Sequence, residues 1–270
     1  MGIFGGNMES FSFLIYPFLA SLFLILIHTY FGIHILERGI IFVDLSLAQF
    51  IGLGIAFSLF WGDDAAGRYL FSIIFAVIGA FILSLSRQIA RYINIEAFIG
   101  VFYIFSLAGS ILILDRTPHG LEEFKTILNG NILWLTPDDL LHTFILYSIV
   151  GILHFIFRER FIVLSYKGKG CFFWEILFFL SFALVLVKSV QIAGILLVFS
   201  FLVIPALIGR LYTREPFRIL VLGWLTGLIV TLFSITVSYR LDLPTAPFIA
   251  AVLAIVFFLL LLWKAFTIKP

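Results

Sequence analysis

The chain has 270 residues, of which 63% are hydrophobic and only 12% are charged. Soluble domains are close to half apolar and a quarter charged, so these values exclude a soluble globular protein or a disordered one and indicate a membrane protein. The net charge of +2 excludes a strongly basic nucleic-acid binder, and the single cysteine, Cys171, excludes an internal disulfide.

Apolar segments long enough to cross a membrane recur along the whole chain. A helix needs about 20 apolar residues for a hydrocarbon core about 30 Å thick. We therefore predict an all-α fold, a polytopic bundle of eight or nine transmembrane helices in a single domain over residues 1–270. Only 188–191 separate the sixth and seventh candidates, so a re-entrant pair or one broken helix is an alternative. The nine candidate spans are 11–35, 40–61, 69–86, 97–114, 140–157, 171–187, 192–211, 219–237 and 248–265.

Both the N-terminal residues and the distribution of basic residues bear on orientation. Residues 1–10 contain no Lys or Arg and the first apolar run is long, so we expect no cleavable signal peptide. With nine spans, 12 of the 17 Lys and Arg residues lie on one side of the membrane and 5 on the other. The positive-inside rule makes the richer side cytoplasmic, which predicts an external N-terminus and a cytoplasmic C-terminus. Eight spans would shift some of these assignments.

The longest segment between predicted spans, 115–139, then lies outside the cell. It has five acidic and two basic residues, so it is either an entrance that concentrates cations or an ordinary solvated loop. Within it, Thr136-Pro137-Asp138-Asp139 predicts a helix start. Thr136 is the expected N-cap, Pro137 the first helical residue, and the two acids lie in the first turn.

Few ionisable side chains lie inside the apolar segments, and Asp44 is the most informative of them. Such groups are costly at membrane depth and usually face an interior or a cavity. Asp44 either lines a cation path or lies at the start of the second helix, a few residues after Arg38-Gly39. Gln49 is about 140° further round the helix, which argues against a joint metal site. His28, Glu175 and Lys188 are the other groups of this kind.

His34 and Glu37 are three residues apart and share a helix face. This spacing is able to chelate a metal ion in helical bundles. Because the pair lies at the basic end of the first span, the sequence favours a surface pair.

Small residues indicate close helix contacts in the second and seventh candidate spans. Gly52, Gly54 and Ala56 lie in the second, and Ala193, Gly194, Ala206 and Gly209 lie in the seventh. Pro205 removes a backbone donor and should bend the seventh. We take Gly194 and Pro205 as candidates for a bend or gate, although such bends also occur in rigid bundles.

No enzymatic or nucleotide-binding motif is recognisable. The run Lys167-Gly168-Lys169-Gly170 has the wrong spacing for a phosphate-binding loop, and no H-E-x-x-H, G-x-S-x-G or C-x-x-C occurs. We therefore expect a protein that is not an enzyme and binds no cofactor.

Four stretches, in order along most of the chain, carry a resemblance to a known family. They are FGIHILERGIIFVDLSLAQFIGLGIA at 31–56, LNGNILWLTPDDL at 128–140, KSVQIAGILLVFSFLVIPALIGRLYT at 188–213 and DLPTAP at 242–247. The third is the most specific. The chain resembles the membrane permeases of zinc-, manganese- and iron-type metal-importing ATP-binding-cassette (ABC) transporters.

The resemblance implies a permease in the plasma membrane, embedded in lipid and paired with a second permease copy. Cytoplasmic ATP-binding subunits would drive alternating access, and an extracytoplasmic metal-binding protein would deliver a divalent ion, zinc or manganese, with iron as a further alternative. The segment 158–170 matches the place where such permeases contact the ATPase. Its basic residues are Arg158, Arg160, Lys167 and Lys169.

The metal-binding motif departs from the family pattern. Many members have Asp-x-x-Ser-His-Ala in the second helix, whereas this chain has Ser46-Leu47-Ala48, and Asp44 is one position away from the family aspartate. Either the ion passes without the imidazole ligand, or other groups replace it, or the substrate differs. We take Asp44, Ser46 and Gln49 as candidate residues of the path, with Asp44 as the candidate metal contact. An ion-coupled secondary transporter and a structural subunit of a membrane complex are the alternative functions.

Overall fold

The computed structural model describes residues 3–62, 65–130, 132–168 and 170–267, and its regular secondary structure there is entirely helical. This confirms the predicted all-α class. A short 3₁₀ helix occupies Ile132–Trp134. The α-helices are α1 Ile3–Arg38, α2 Val43–Gly62, α3 Ala65–Ser84, α4 Ser86–Ile89, α5 Ile95–Leu114, α6 Gly120–Asn129, α7 Pro137–Ile156, α8 Arg158–Tyr166, α9 Phe172–Tyr212, α10 Pro216–Leu241 and α11 Thr245–Thr267.

Eight of the helices in the described part of the chain are long and apolar enough to cross a membrane. They are α1, α2, α3, α5, α7, α9, α10 and α11. The sixth and seventh predicted spans both fall in α9, which has 41 residues and leaves helical conformation at Gly194, where φ is 73° and ψ is 164°. This is the broken helix that the short 188–191 separation allowed.

The described residues group into two compact units. In the first unit, which draws on 1–33, 131–147 and 196–270, glycines bring helix backbones together. A Cβ on Gly32 of α1 would lie 2.0 Å from Leu202 O of α9, and one on Gly223 of α10 would lie 2.8 Å from Pro205 O. Such contacts replace the hydrophobic driving force that is absent between helices in lipid.

In the second unit, which draws on 34–130 and 148–195, α2 packs against both α3 and α5. A Cβ on Gly54 of α2 would lie 2.7 Å from Phe71 O of α3, which confirms a close contact at one of the predicted small residues. A core cluster then joins α2 to α6 and α9. Its buried members are Ala48, Ile55, Ile127, Val190 and Ile195.

The segment 115–139 is more ordered than a solvated loop, because it contains α6 and the 3₁₀ helix. Phe124, Ile127 and Leu128 recur at helical spacing among polar residues, which makes α6 amphipathic. Ile127 is buried in the core cluster. The helical spacing of these apolar residues is visible in the sequence. The helix was not predicted because its 10 residues are too few for a transmembrane span.

The predicted start of α7 is confirmed. Pro137 is its first residue, Asp139 N donates to Thr136 Oγ1 over 3.2 Å, and Thr136 N donates to Asp139 Oδ2 over 3.4 Å. This reciprocal pairing is the arrangement of a capping box.

Replacing Thr136 with alanine should lower the free energy of unfolding by about 1 kcal/mol, the usual value of an N-cap side chain. Thermal unfolding of the purified protein in detergent would measure the change. Serine at the same position keeps the hydroxyl and should restore most of the loss, whereas an equal loss with serine would contradict the capping role.

Candidate functional site

Asp44 lies in the first turn of α2 and is 0% exposed. Neither carboxylate oxygen has a hydrogen-bond partner among the described residues. Asp44 is therefore at a helix start, as one reading of the sequence predicted, yet it does not cap the helix by accepting a backbone N–H. A buried acidic side chain without a partner is unusual, and inside a membrane span it is a candidate functional group.

The other two candidate path residues are buried but point elsewhere. Ser46 Oγ lies 2.9 Å from Phe42 O and 2.9 Å from Ile99 O, so its hydroxyl fastens α2 to α5. Gln49 is 2% exposed. At 100° per residue, Ser46 and Gln49 are about 200° and 140° from Asp44 around the helix. The three side chains thus do not converge on one point.

Leu47 occupies the position of the family histidine and is fully buried. A Cβ on Gly79 of α3 would lie 2.6 Å from Leu47 Cδ1, so Leu47 fills the contact between α2 and α3. Among the described residues no group of three or more His, Cys, Asp or Glu side chains is arranged to hold a metal ion.

Gly194 marks the break in α9 and touches another glycine with positive φ. A Cβ on Gly194 would lie 2.3 Å from Gly130 N, and one on Gly130 would lie 2.2 Å from Ala193 C. The end of α6 and the break in α9 therefore meet backbone to backbone. Among the residues of α9, Gly194 is where the dihedral angles leave the helical range, while the helix continues through Pro205. Pro205 packs against Gly223 and Gly227 of α10.

The predicted ATPase-contact segment folds as the short helix α8 with two different faces. Arg158, Arg160 and Lys167 are exposed, whereas Lys169 lies outside the described residues. The buried face consists of Phe161, Leu164 and Ser165. The Phe161 ring stacks on His154 of α7, with ring centroids 4.0 Å apart.

A buried ion cluster next to α8 was not predicted from the sequence. Glu175 of α9 accepts a hydrogen bond from Arg38 Nη1 over 2.9 Å and also pairs with Arg87 Nε. The Arg38 guanidinium lies 4.3 Å from the centroid of the Phe178 ring. The signal in the sequence was Glu175 itself, because ionisable residues within spans often pair with one another. The identity of that partner depends on tertiary structure.

The expected surface position of His34 is wrong. His34 is 1% exposed, and its Nδ1 lies 2.9 Å from Ser165 Oγ, so the ring is buried beside α8 and does not lie on the surface. His28, in the same helix, is also buried, and its Nδ1 donates to Leu24 O over 2.9 Å.

Comparisons of the sequence place the chain among transport proteins. The profile of the ABC 3 transport family matches residues 10–264. The "Manganese transport system membrane protein MntC" of Listeria monocytogenes is 25% identical over 268 residues, which covers 97% of this chain and 94% of the relative. The "Probable metal transport system membrane protein" of Chlamydia pneumoniae is 26% identical over 236 residues, with 83% and 80% covered.

Two solved structures share the fold. PsaBC from Streptococcus pneumoniae, in complex with Fab, superposes with a TM-score of 0.77 at 21% identity and covers 95% of this chain and 94% of that chain. An inward-facing structure described as a metal-chelate type ABC transporter gives a TM-score of 0.71 at 19% identity, with 92% and 85% covered. Because the family profile spans nearly all of the sequence, the resemblance carried by the four motifs is confirmed, and the chain belongs to the ABC 3 transport family of membrane permeases.

Proposed function

We propose that the chain is the membrane permease of an ABC importer that carries Mn²⁺ in preference to Zn²⁺. The observation that carries this proposal is the buried carboxylate of Asp44, which has no hydrogen-bond partner among the described residues, in a member of the ABC 3 transport family. Carboxylate oxygens suit Mn²⁺, whereas Zn²⁺ favours the nitrogen ligand that Leu47 does not supply. Relatives named for manganese transport support the same choice.

Asp44 acts as a transient contact for the ion. A desolvated carboxylate attracts a divalent cation strongly. Because the described residues contain no group of three or more His, Cys, Asp or Glu side chains that could hold a metal ion, the contact is weak enough to release the ion. Ser46 and Gln49 serve the path indirectly. Ser46 holds α2 against α5 and thereby fixes where Asp44 lies.

Partner proteins supply the energy and the ion. Cytoplasmic ATP-binding subunits dock on the exposed basic face of α8, and a second permease copy completes the transporter. An extracytoplasmic metal-binding protein docks over 115–139, where Glu122 and Glu123 lie in the first turn of α6. In this proposal the permease needs no resident metal or cofactor of its own.

The cytoplasmic side of the plasma membrane is the side of Arg38, Arg87 and α8. Arg38 and Arg87 meet α8 in the ion cluster, so the end of α1, the short helix α4 and the end of α8 lie together in the second unit. The sequence placed the same residues on the side that the positive-inside rule makes cytoplasmic. A cytoplasmic C-terminus follows if α9, broken at Gly194, crosses twice.

The test is purification of the tagged chain from membranes, followed by reconstitution of the co-purifying complex into liposomes. We expect an ATPase to co-purify, and we expect Mn²⁺ uptake that requires ATP and the metal-loaded binding protein. Zn²⁺ in equal amount should be carried more slowly. Full Mn²⁺ flux by the chain alone, without nucleotide, would overturn the proposal in favour of an ion-coupled transporter.

A further inference from the structure

The C-terminal end of α8 is capped by a side chain from another helix. The helix ends at Tyr166 and is followed by Gly168 with φ of 61°, the left-handed conformation typical of a helix C-terminus. The last carbonyl groups of a helix have no partner within it. Arg87 of α4 donates from Nη2 to Leu164 O over 2.7 Å and from Nη1 to Gly168 O over 3.1 Å.

Arg87 is also one member of the ion cluster, which connects α8 to the transmembrane helices. Its Nε pairs with Glu175 of α9, and Glu175 accepts from Arg38 of α1. Arg38 Nε in turn donates to Ser165 Oγ of α8 over 3.1 Å. These contacts form a closed chain of polar interactions that links α8 to α4, α4 to α9, α9 to α1, and α1 back to α8. A displacement of α8 has to move these helices or break hydrogen bonds to charged groups.

The exposed face of α8 is basic, whereas its buried face contacts the transmembrane helices. The exposed face has Arg158, Arg160 and Lys167, and Arg158 lies with its guanidinium 5.3 Å from the centroid of the Phe155 ring. The buried face is held by the ion cluster and by the stacking of Phe161 on His154. A displacement of the exposed face is therefore transmitted to the transmembrane helices through the ion cluster and the Phe161–His154 contact.

We propose that Arg87 is a positioning residue that couples ATP hydrolysis to transport by locking α8 to α9 and α1. This inference rests on the proposed function, since it takes α8 as the surface that meets the ATPase. The contacts of Arg87 are to Leu164, Gly168 and Glu175. Arg87 acts through α8 and Glu175. Its loss therefore uncouples ATP hydrolysis from metal transport, while the ATPase subunits and the transport path both remain intact.

Arg87→Gln is the variant of choice because Glu175 and Arg38 are more deeply buried. The side chain of Arg87 is 35% exposed, whereas those of Glu175 and Arg38 are 3% and 8% exposed. Removing Arg87 leaves the Arg38–Glu175 pair in place. Removing Glu175 would leave two cations without their partner, and buried unpaired charges strongly destabilise a protein.

The measurement is Mn²⁺ uptake per ATP hydrolysed in liposomes that contain the complete complex. We expect Arg87→Gln to lower this ratio at least about fivefold, the lower end of typical coupling between sites. Arg87→Lys keeps the charge but not the planar fork, so it should recover only part of the ratio. Arg91→Gln removes an exposed charge four residues away and should leave the ratio unchanged.

A second measurement does not depend on assembly. In the purified chain, Arg87→Gln should speed hydrogen exchange in the last turn of α8, where Lys167 N donates to Val163 O, and Arg91→Gln should not. Unchanged exchange in Arg87→Gln, or an unchanged uptake ratio, would overturn the inference while the proposed function stands. If the wild-type complex shows no ATP-driven uptake, the proposed function fails and the inference fails with it.

Discussion

Replacing Gly194 with alanine is expected to destabilise the protein by at least about 3 kcal/mol, because two independent costs combine at this residue. The first cost is conformational. With φ of 73° and ψ of 164°, Gly194 occupies a region that residues with a Cβ rarely adopt. The second cost is steric, since the new Cβ would lie 2.3 Å from Gly130 N and 2.4 Å from Asn129 C. Both are backbone atoms, which are unable to move aside as a flexible side chain does.

Two glycine variants separate these costs when thermal unfolding is measured in detergent. Gly39 has φ of 67° but nothing within 4 Å of an added Cβ, so Gly39→Ala reports conformational strain alone. Gly151 is helical and equally open, so Gly151→Ala should be neutral or stabilising by up to about 1 kcal/mol. If Gly194→Ala lowers stability no more than Gly39→Ala does, the contact with Gly130 is not what requires glycine.

Changing Asp44 to asparagine should lower Mn²⁺ uptake at least about tenfold, or 1.4 kcal/mol, and at the same time leave stability unchanged or raise it. The amide has nearly the same shape but no charge, so it attracts a divalent cation only weakly. Burying a carboxylate without a partner opposes folding, and Asp44 has no partner among the described residues. A residue that costs stability and is needed for transport is typical of a functional site.

The opposite directions of these two effects make the prediction specific. Asp242→Asn is the matched control, because Asp242 is exposed and has φ of 52°, a conformation that asparagine adopts readily. It should change neither uptake nor unfolding. Normal uptake by the Asp44→Asn complex would show that Asp44 only marks a helix start. A large loss of stability would indicate that the carboxylate has a structural partner.

Long apolar runs made the transmembrane helices predictable. Spans such as α2 and α5 are recognisable because about 20 consecutive residues satisfy one simple requirement, the thickness of the bilayer. The start of α7 was predictable as well, since Thr136, Pro137 and Asp139 interact within four residues. The break in α9 was foreseen as an alternative from the residues 188–191. Gly194 was one of the two residues that the sequence offered for a bend, but the approach of the end of α6 at this residue is not evident from the local sequence.

The candidate site was predictable in part. Asp44 was singled out because a carboxylate in an apolar segment is rare, but its lack of a partner is a property of the packed bundle. The ion cluster escaped prediction because Arg38 and Glu175 are 137 residues apart and their pairing requires the folded structure. Ser46 was placed on the path by its type, whereas the structure uses its hydroxyl to fasten α2 to α5.

The exposed thiol of Cys171 adjoins the first residue of α9, immediately after the segment that contains α8. Because it is the only cysteine in the chain, a maleimide reagent will label a unique position in this protein, and no other cysteine has to be replaced first. A membrane-impermeant reagent applied to sealed vesicles of known polarity would then report directly which compartment α8 faces. A fluorophore or spin label at the same atom would follow that junction through the transport cycle.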